Sequence, residues 1–217
     1  MFVVIDGIDG SGKGTQVKLV KKELEKGGKT VKIIDYPRYG EKACYFVEKY
    51  LNGEYGKYVE PKTASLFYAV DRYDSSFELR EDLEKYDYII GNRYVSSSMI
   101  HQAGKIEDLK KLEDYLDWLY DLEYNVLALP QPEKVLFLDV APEVSAKLLL
   151  KKEKRDYIKN SDNLDLHEAD KNHLKNAYNR AVFVAEKYDD WIRIECTKDN
   201  EIKSREEITQ LILSQIK

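Results

Sequence analysis

The sequence predicts an α/β fold with a central five-stranded parallel sheet and helices on both faces. Two observations predict it: short apolar runs with strand composition, and longer helical stripes lying between them. The runs are Phe2–Ile5, Val31–Ile34, Tyr88–Ile90, Val135–Leu138 and Trp191–Ile194. Each is rich in β-branched or aromatic residues and apolar nearly throughout, the pattern of a strand covered on both sides. The first stripe is Val17, Leu19, Val20 and Leu24, closed by Gly27-Gly28. Leu109, Leu112, Leu116, Leu119 and Leu122 repeat at intervals of three and four. Val144, Ala146 and Leu148–Leu150 follow Pro142, a residue suited to a first helical turn. Ala177, Ala181, Val184 and Ala185 precede the fifth run, and Ile208, Leu211 and Ile212 form a last stripe. Strand and helix in alternation give a parallel sheet with right-handed crossovers.

Composition narrows the function classes. The 217 residues carry 35 Lys+Arg against 40 Asp+Glu, a formal net charge of −5. An acidic chain with no basic tail is a poor polyanion binder, because nucleic-acid binding needs clustered cations that release counterions. No apolar run approaches the roughly 18 residues of a membrane span. No basic stretch precedes Phe2-Val3-Val4-Ile5, so no secretory leader is expected. Cys44 and Cys196 are far apart and lack metal-ligand spacing, which fits a reduced, cytoplasmic protein. The length fits one domain over residues 1–217. Residues 52–62 read as a loop. The polar stretch 151–168 is long for a structureless connector, which favours a mobile lid at about 150–168.

The first strand runs into Asp6-Gly7-Ile8-Asp9-Gly10-Ser11-Gly12-Lys13-Gly14-Thr15-Gln16 and then a helix. Gly7, four residues, then Gly12-Lys13 is the spacing of a P-loop. Its glycines let backbone N–H groups curl around an anion, the helix N-terminus adds positive potential, and the lysine reaches the outer phosphates. The ATP-binding residues are therefore Gly7, Ile8, Asp9, Gly10, Ser11, Gly12, Lys13, Gly14 and Thr15. The residue directly after the lysine is Gly14 rather than Ser or Thr, with Thr15 next.

Four further motifs follow in order: Tyr36-Pro37-Arg38-Tyr39-Gly40, Leu66-Phe67-Tyr68-Ala69-Val70-Asp71-Arg72 on a helix, Asn92-Arg93-Tyr94-Val95-Ser96-Ser97-Ser98 with Gln102 beyond, and Leu136-Phe137-Leu138-Asp139-Val140-Ala141-Pro142-Glu143. Together with the P-loop, this set resembles the thymidylate kinase family from residue 1 to about residue 195. The resemblance implies a P-loop NTPase fold, transfer of a phosphoryl group from ATP to dTMP, Mg²⁺, and a homodimer. It implies that Arg38 and Arg93 meet the acceptor phosphate, where planar guanidinium forks match phosphate oxygens. Tyr68 would stack on the base and Arg72, four residues on, would bond a base oxygen from the same helix face. Tyr36, Tyr39, Ser97, Ser98, His101 and Gln102 complete the substrate pocket, and Asp9 would help organise metal and acceptor, with Thr15 as a second metal candidate.

Three departures from the family bear on mechanism. Gly10 stands where some members carry a catalytic arginine, so the lid must supply one, and Arg155 is the choice among Lys151, Lys152, Lys154 and Arg155. Asp165 and Glu168 are candidate lid partners. Asn92 stands where the family has an aspartate, and loses its charge. His101 replaces an aromatic residue near the sugar, and His167 and His173 show no ligand set for zinc. The expected catalytic residues are Lys13, Arg93, Arg155 and Asp9. A related kinase acting on another pyrimidine such as dUMP, and a nucleotide-binding regulator without turnover, are the alternatives.

Overall fold

The computed structural model describes residues 1–56, 58–156, 171–199 and 201–216. The strands are β1 Phe2–Asp6, β2 Val31–Asp35, β3 Tyr88–Asn92, β4 Lys134–Asp139 and β5 Trp191–Glu195, each matching one predicted run with one or two residues added at an end. They form one parallel sheet in the order β2-β3-β1-β4-β5. A two-stranded antiparallel hairpin, β6 Thr197–Lys198 and β7 Glu201–Ile202, follows β5.

Strand alternation builds two cores. Phe2 and Val4 of β1 point to one face, Val3 and Ile5 to the other. Helix α1 (Lys13–Lys26) covers the second face with Val17, Val20 and Leu24, and α8 (Arg205–Ile216) joins it through Ile208 and Ile212. Helices α3 (Pro61–Lys85), α5 (Leu109–Tyr120) and α7 (Lys171–Lys187) cover the first face with Leu79, Leu112, Leu116, Ala177, Ala181 and Val184. β1 and β4 are buried, whereas β2 is mostly half-buried because it forms an edge. Leu109 and Leu150 continue the predicted stripes but are exposed.

Two elements, α2 and α4, were not legible as helices, and a third, α3, was read only in part. The short α2 (Tyr45–Leu51) mixes apolar and charged residues without a stripe. α3 runs unbroken for 25 residues from a proline in its first turn, about 38 Å of helix. After β3 the chain turns at Arg93 and forms α4 (Val95–Ser97), which continues as wider helical turns over Ser98–Gln102. α6 (Pro142–Asp156) extends into the expected lid as far as Asp156, and the rest of that segment lies outside the described residues.

Because all five strands run parallel, the carboxyl ends of β1, β2, β3 and β4 share one rim. Ile5 pairs with Asn92, Asp35 pairs with Asn92, and Asp6 pairs with Phe137. Ligands in open parallel sheets collect at that rim.

Candidate active site

The glycine-rich turn leaves β1 at Asp6 and enters α1 at Lys13. Gly10 and Gly12 take positive φ, 79° and 88°, which closes the loop in a backbone conformation that residues with a side chain resist. Thr15 and Gln16 N–H groups both bond the Gly12 carbonyl and start the helix. Lys13 Nζ lies inside the turn, donating to the carbonyls of Gly7 and Ile8 at 2.9 Å each. Beneath the loop, Ser145 of α6 donates to the Asp9 carbonyl. A Cβ on Gly10 would sit 2.7 Å from the Ser145 carbonyl oxygen and 2.8 Å from Leu149 Cγ. A side chain at Gly10 would therefore force Ser145 or Leu149 of α6 to shift.

A cleft beside this loop is lined by Asp9 through Leu19, Asp35, Asn92, Arg93, Leu148, Lys203 and Arg205 among others. It holds all the predicted ATP-binding residues except Gly7 and Ile8, which lie in the floor as Lys13 acceptors. A second, more enclosed cavity is lined by Asp9, Tyr36, Tyr39, Tyr68, Arg72, Arg93, Ser97, Ser98, His101 and Gln102, the predicted substrate residues, and also by His173. Asp9 and Arg93 line both spaces.

Arg38 is the exception. Its Nε donates to Asp71 Oδ1 at 2.8 Å and its Nη2 to Asp74 Oδ2 at 2.6 Å, while its backbone N–H bonds Asp71 Oδ2 at 2.9 Å. These bonds clamp it to α3, and it lines neither space. In this structure the guanidinium of Arg38, expected at the acceptor phosphate, is paired with Asp71 and Asp74. Asp71 is buried and holds Arg38 in place.

Arg93 follows β3 with φ 67°, a left-handed conformation uncommon for a side chain other than glycine. Its guanidinium pairs with Asp9 through Nη2 and reaches His101 Nε2 at 2.9 Å and Ser97 Oγ at 3.4 Å through Nη1. Burial by itself would lower the Arg93 pKa, but Asp9 and Asp6 beside it hold it above the ordinary arginine value. Burial likewise favours the neutral Asp9 carboxyl, yet Arg93 and Lys13 outweigh it and hold Asp9 well below the usual carboxylate range. Lys13 Nζ stands 4.0 Å from Asp9. Asp9 is thus the bridge between the two cations and not an open carboxylate.

One further carboxylate links the two spaces. Asp6 is fully buried; its Oδ1 accepts the Gly7 N–H at 2.8 Å, and its Oδ2 accepts Ser96 Oγ at 2.6 Å and Ser97 Oγ at 2.8 Å. It ties the P-loop to the turn that carries Arg93.

Oxygen donors suited to a hard cation lie at the rim. Asn92 Nδ2 donates to Asp35 Oδ1 at 2.9 Å, leaving Asn92 Oδ1 buried without a hydrogen-bond partner. Thr15, Asp35 and Asn92 all line the P-loop cleft. Asp9, the other metal candidate, faces Arg93 and Lys13, so a cation there would meet two positive charges.

Arg72 forms part of the wall of the second cavity. It is 2% exposed and pairs with Glu123, itself 0% exposed. Nε bonds Glu123 Oε2 at 3.0 Å, Nη2 bonds the other carboxylate oxygen and Ser98 Oγ at 3.3 Å, and Nη1 bonds the Tyr94 carbonyl at 3.3 Å. Four of its five N–H groups are thereby used, leaving one on Nη1. Tyr36 OH bonds Ser75 Oγ at 2.6 Å, and Gln102 Oε1 accepts from Lys105 Nζ at 2.9 Å.

Sequence reasoning missed Glu123 and His173. The available signal for Glu123 was its position four residues after Leu119, in line with the apolar stripe Leu112, Leu116 and Leu119. His173 had none, because its partner His101 is 72 residues away. Arg155, Lys151, Lys152 and Lys154 lie on the α6 backbone with side chains outside the described residues, as do Asp165, His167 and Glu168 entirely.

A family model described as thymidylate kinase matches residues 5–203. A probable thymidylate kinase from Methanocaldococcus jannaschii is 30% identical over 222 aligned residues, covering 100% of this chain and 96% of that protein. A thymidylate kinase from Mycobacterium tuberculosis is 27% identical over 167 residues, covering 76% of this chain and 78% of its own length. Among solved structures, thymidylate kinase from Candida albicans superposes with a TM-score of 0.74 at 19% identity, covering 99% of this chain and 90% of that one, which bears on the fold. The P-loop at the head of a 2-3-1-4-5 sheet, the cavity beside it and these likenesses converge: the chain belongs to the thymidylate kinase family.

Proposed function

We propose that this protein transfers the γ-phosphoryl group of ATP to the phosphate of dTMP, giving ADP and dTDP. The observation that carries the reading is that Asp9 and Arg93 line both the P-loop cleft and the enclosed cavity. A donor phosphate in one and an acceptor phosphate in the other would meet at that pair. The acceptor is already a phosphate oxygen, so the reaction needs alignment and charge neutralisation more than a strong base. Lys13 would leave its loop carbonyls for the outer phosphates of ATP, and Arg93 would hold the dTMP phosphate. The ring of Tyr68 would stack on thymine, and the remaining Arg72 N–H would bond a base oxygen. Ser97, Ser98 and Gln102 supply polar edges to the same space.

Mg²⁺ fits the rim. Thr15, Asn92 and Asp35 would hold it, with Asp35 returning the negative charge that Asn92 lacks. The ion would neutralise phosphate charge when bound. Arg155 of the lid is the candidate for the charge developing on the transferred group.

A homodimer and a cytoplasmic location complete the reading. Leu66, Val70, Tyr73 and Phe77 form an exposed stripe on α3 at helical spacing, with Tyr45 and Phe46 exposed nearby. A second copy of the chain would cover that face. No helix among the described residues is long and apolar enough to cross a membrane, and both cysteines are free and buried.

The deciding assay measures ADP release by the purified protein with ATP, Mg²⁺ and a panel of nucleoside monophosphates. The reading expects fastest turnover, by kcat/KM, with dTMP. Faster turnover with dUMP or CMP removes the substrate assignment, and no turnover with any acceptor removes the kinase.

A further inference from the structure

Arg93 is not held by Asp9 alone. Its Nη1 lies 2.9 Å from His101 Nε2, and His101 Nδ1 lies 3.3 Å from His173 Nε2. The two imidazole rings are nearly parallel, 16° apart with centroids at 5.5 Å, and each residue is 9% exposed. His173 comes from α7, which packs on the Ser98–Gln102 turns that carry His101.

Donor and acceptor roles follow in one direction. A guanidinium has only N–H donors, so His101 Nε2 must present its lone pair. The His101 proton is then on Nδ1 and points to His173 Nε2, which must accept it. His173 in turn carries its own proton on Nδ1. Both rings are neutral, each in the Nδ1–H tautomer, and the chain of bonds ends on Arg93.

A metal is the other use of such a cluster, since donor atoms of Asp9, His101 and His173 all lie within 4.8 Å of one another. Charge argues against it. Arg93 touches both Asp9 and His101, and Lys13 is 4.0 Å from Asp9, so an added cation would face two fixed cations at close range.

We propose that His101 and His173 form a two-imidazole relay that positions the Arg93 guanidinium for the acceptor phosphate. The relay rests on the reading of Arg93 as the acceptor-phosphate arginine. His173 touches no reacting atom in this role; it fixes the His101 tautomer. Without it, His101 can place its proton on Nε2, where N–H faces N–H and the arginine is pushed off its seat.

Two measurements test this. NMR of protein labelled with ¹⁵N-histidine reports which ring nitrogen carries the proton, with signals assigned from His101→Gln and His173→Gln samples. The relay expects Nδ1–H at both rings in the wild type; Nε2–H at His101 overturns it. Steady-state kinetics then separates positioning from folding. His173→Ala is expected to raise the KM for dTMP about tenfold, the loss of one hydrogen bond to a charged group, with the KM for ATP unchanged. His173→Gln, which keeps an acceptor near Nε2, is expected to stay within about threefold of wild type. If Arg93→Ala raises the dTMP KM and His173→Ala does not, the relay is wrong and the phosphate reading stands. If Arg93→Ala leaves it unchanged, the phosphate reading falls and the positioning role with it. One equivalent of Zn²⁺ bound by the wild type and lost in His173→Gln would replace the relay with a metal site.

Discussion

Removing Glu123 should be among the most damaging single changes in this protein. Arg72 lies in the wall of the enclosed cavity, 2% exposed, and Glu123 is the carboxylate behind it, 0% exposed. Glu123→Ala leaves a guanidinium buried with only the Tyr94 carbonyl and Ser98 hydroxyl as partners. Breaking one side of a buried ion pair costs about 3–5 kcal/mol, because the remaining charge keeps its desolvation penalty. A domain of this size has about 5–15 kcal/mol of stability in all. At about 2–4 °C per kcal/mol, the midpoint of thermal unfolding should fall by roughly 6–20 °C. Urea unfolding followed by circular dichroism measures the loss directly, with an unchanged m-value showing that the unfolded state is not the cause. The double variant Arg72→Met, Glu123→Leu discards both charges together and should recover most of the stability while losing discrimination for thymine. A loss under about 1 kcal/mol for Glu123→Ala would refute the reasoning, since a pair this deep cannot be screened like a surface bridge.

Gly10→Ala should lose about 1–3 kcal/mol through overpacking against Ser145 and Leu149, and more than Gly12→Ala, whose added Cβ meets nothing within 4 Å. Urea midpoints of the two compared with wild type decide it; equal losses would show that positive φ alone, and not contact with α6, controls the loop. Burial pushes Lys105 down to about 8 from the ordinary lysine value of 10.5. The unfolded chain then binds more protons than the folded one between those values, so stability rises with pH across that window. Wild type should gain about 2 kcal/mol relative to Lys105→Met between pH 7 and pH 9.5, and parallel pH curves in urea would contradict it. Burial pushes the thiols of Cys44 and Cys196 up to about 12. At pH 8 only about one thiol in 10⁴ is a thiolate, so a colourimetric disulfide reagent should find no reactive thiol until denaturant is added, and prompt native labelling would count against the buried assignment.

The sheet was legible because each strand is a short apolar run bounded by helix stripes, and burial on both faces leaves that signature in the residues themselves. The phosphate loop was legible for a different reason: its chemistry is local, so spacing carries it. Arg38 shows the limit. Its motif is plain in the sequence, but whether it reaches a phosphate or a carboxylate depends on Asp71 and Asp74, more than thirty residues away. Glu123 and His173 were hidden in the same way, since each acts through a partner brought near only by packing. α3 was read over seven residues and observed over 25, because apolar side chains on two of its faces blur any single stripe. The lid assignment at Arg155 rests on the sequence, as its side chain is outside the described residues.

Asp6 has a consequence for how such a protein can diversify. With one oxygen on the loop and the other on the two serines, it welds donor platform and acceptor platform into a single casting at the head of the sheet. In the proposed reaction the base would be read by parts bolted on from elsewhere, chiefly Tyr68 and Arg72 of α3, which line the cavity. Changes on that helix can retune which nucleobase is admitted while the spacing between the two phosphates stays constant. Fidelity of transfer and choice of substrate are thereby two separately adjustable properties of one small molecule.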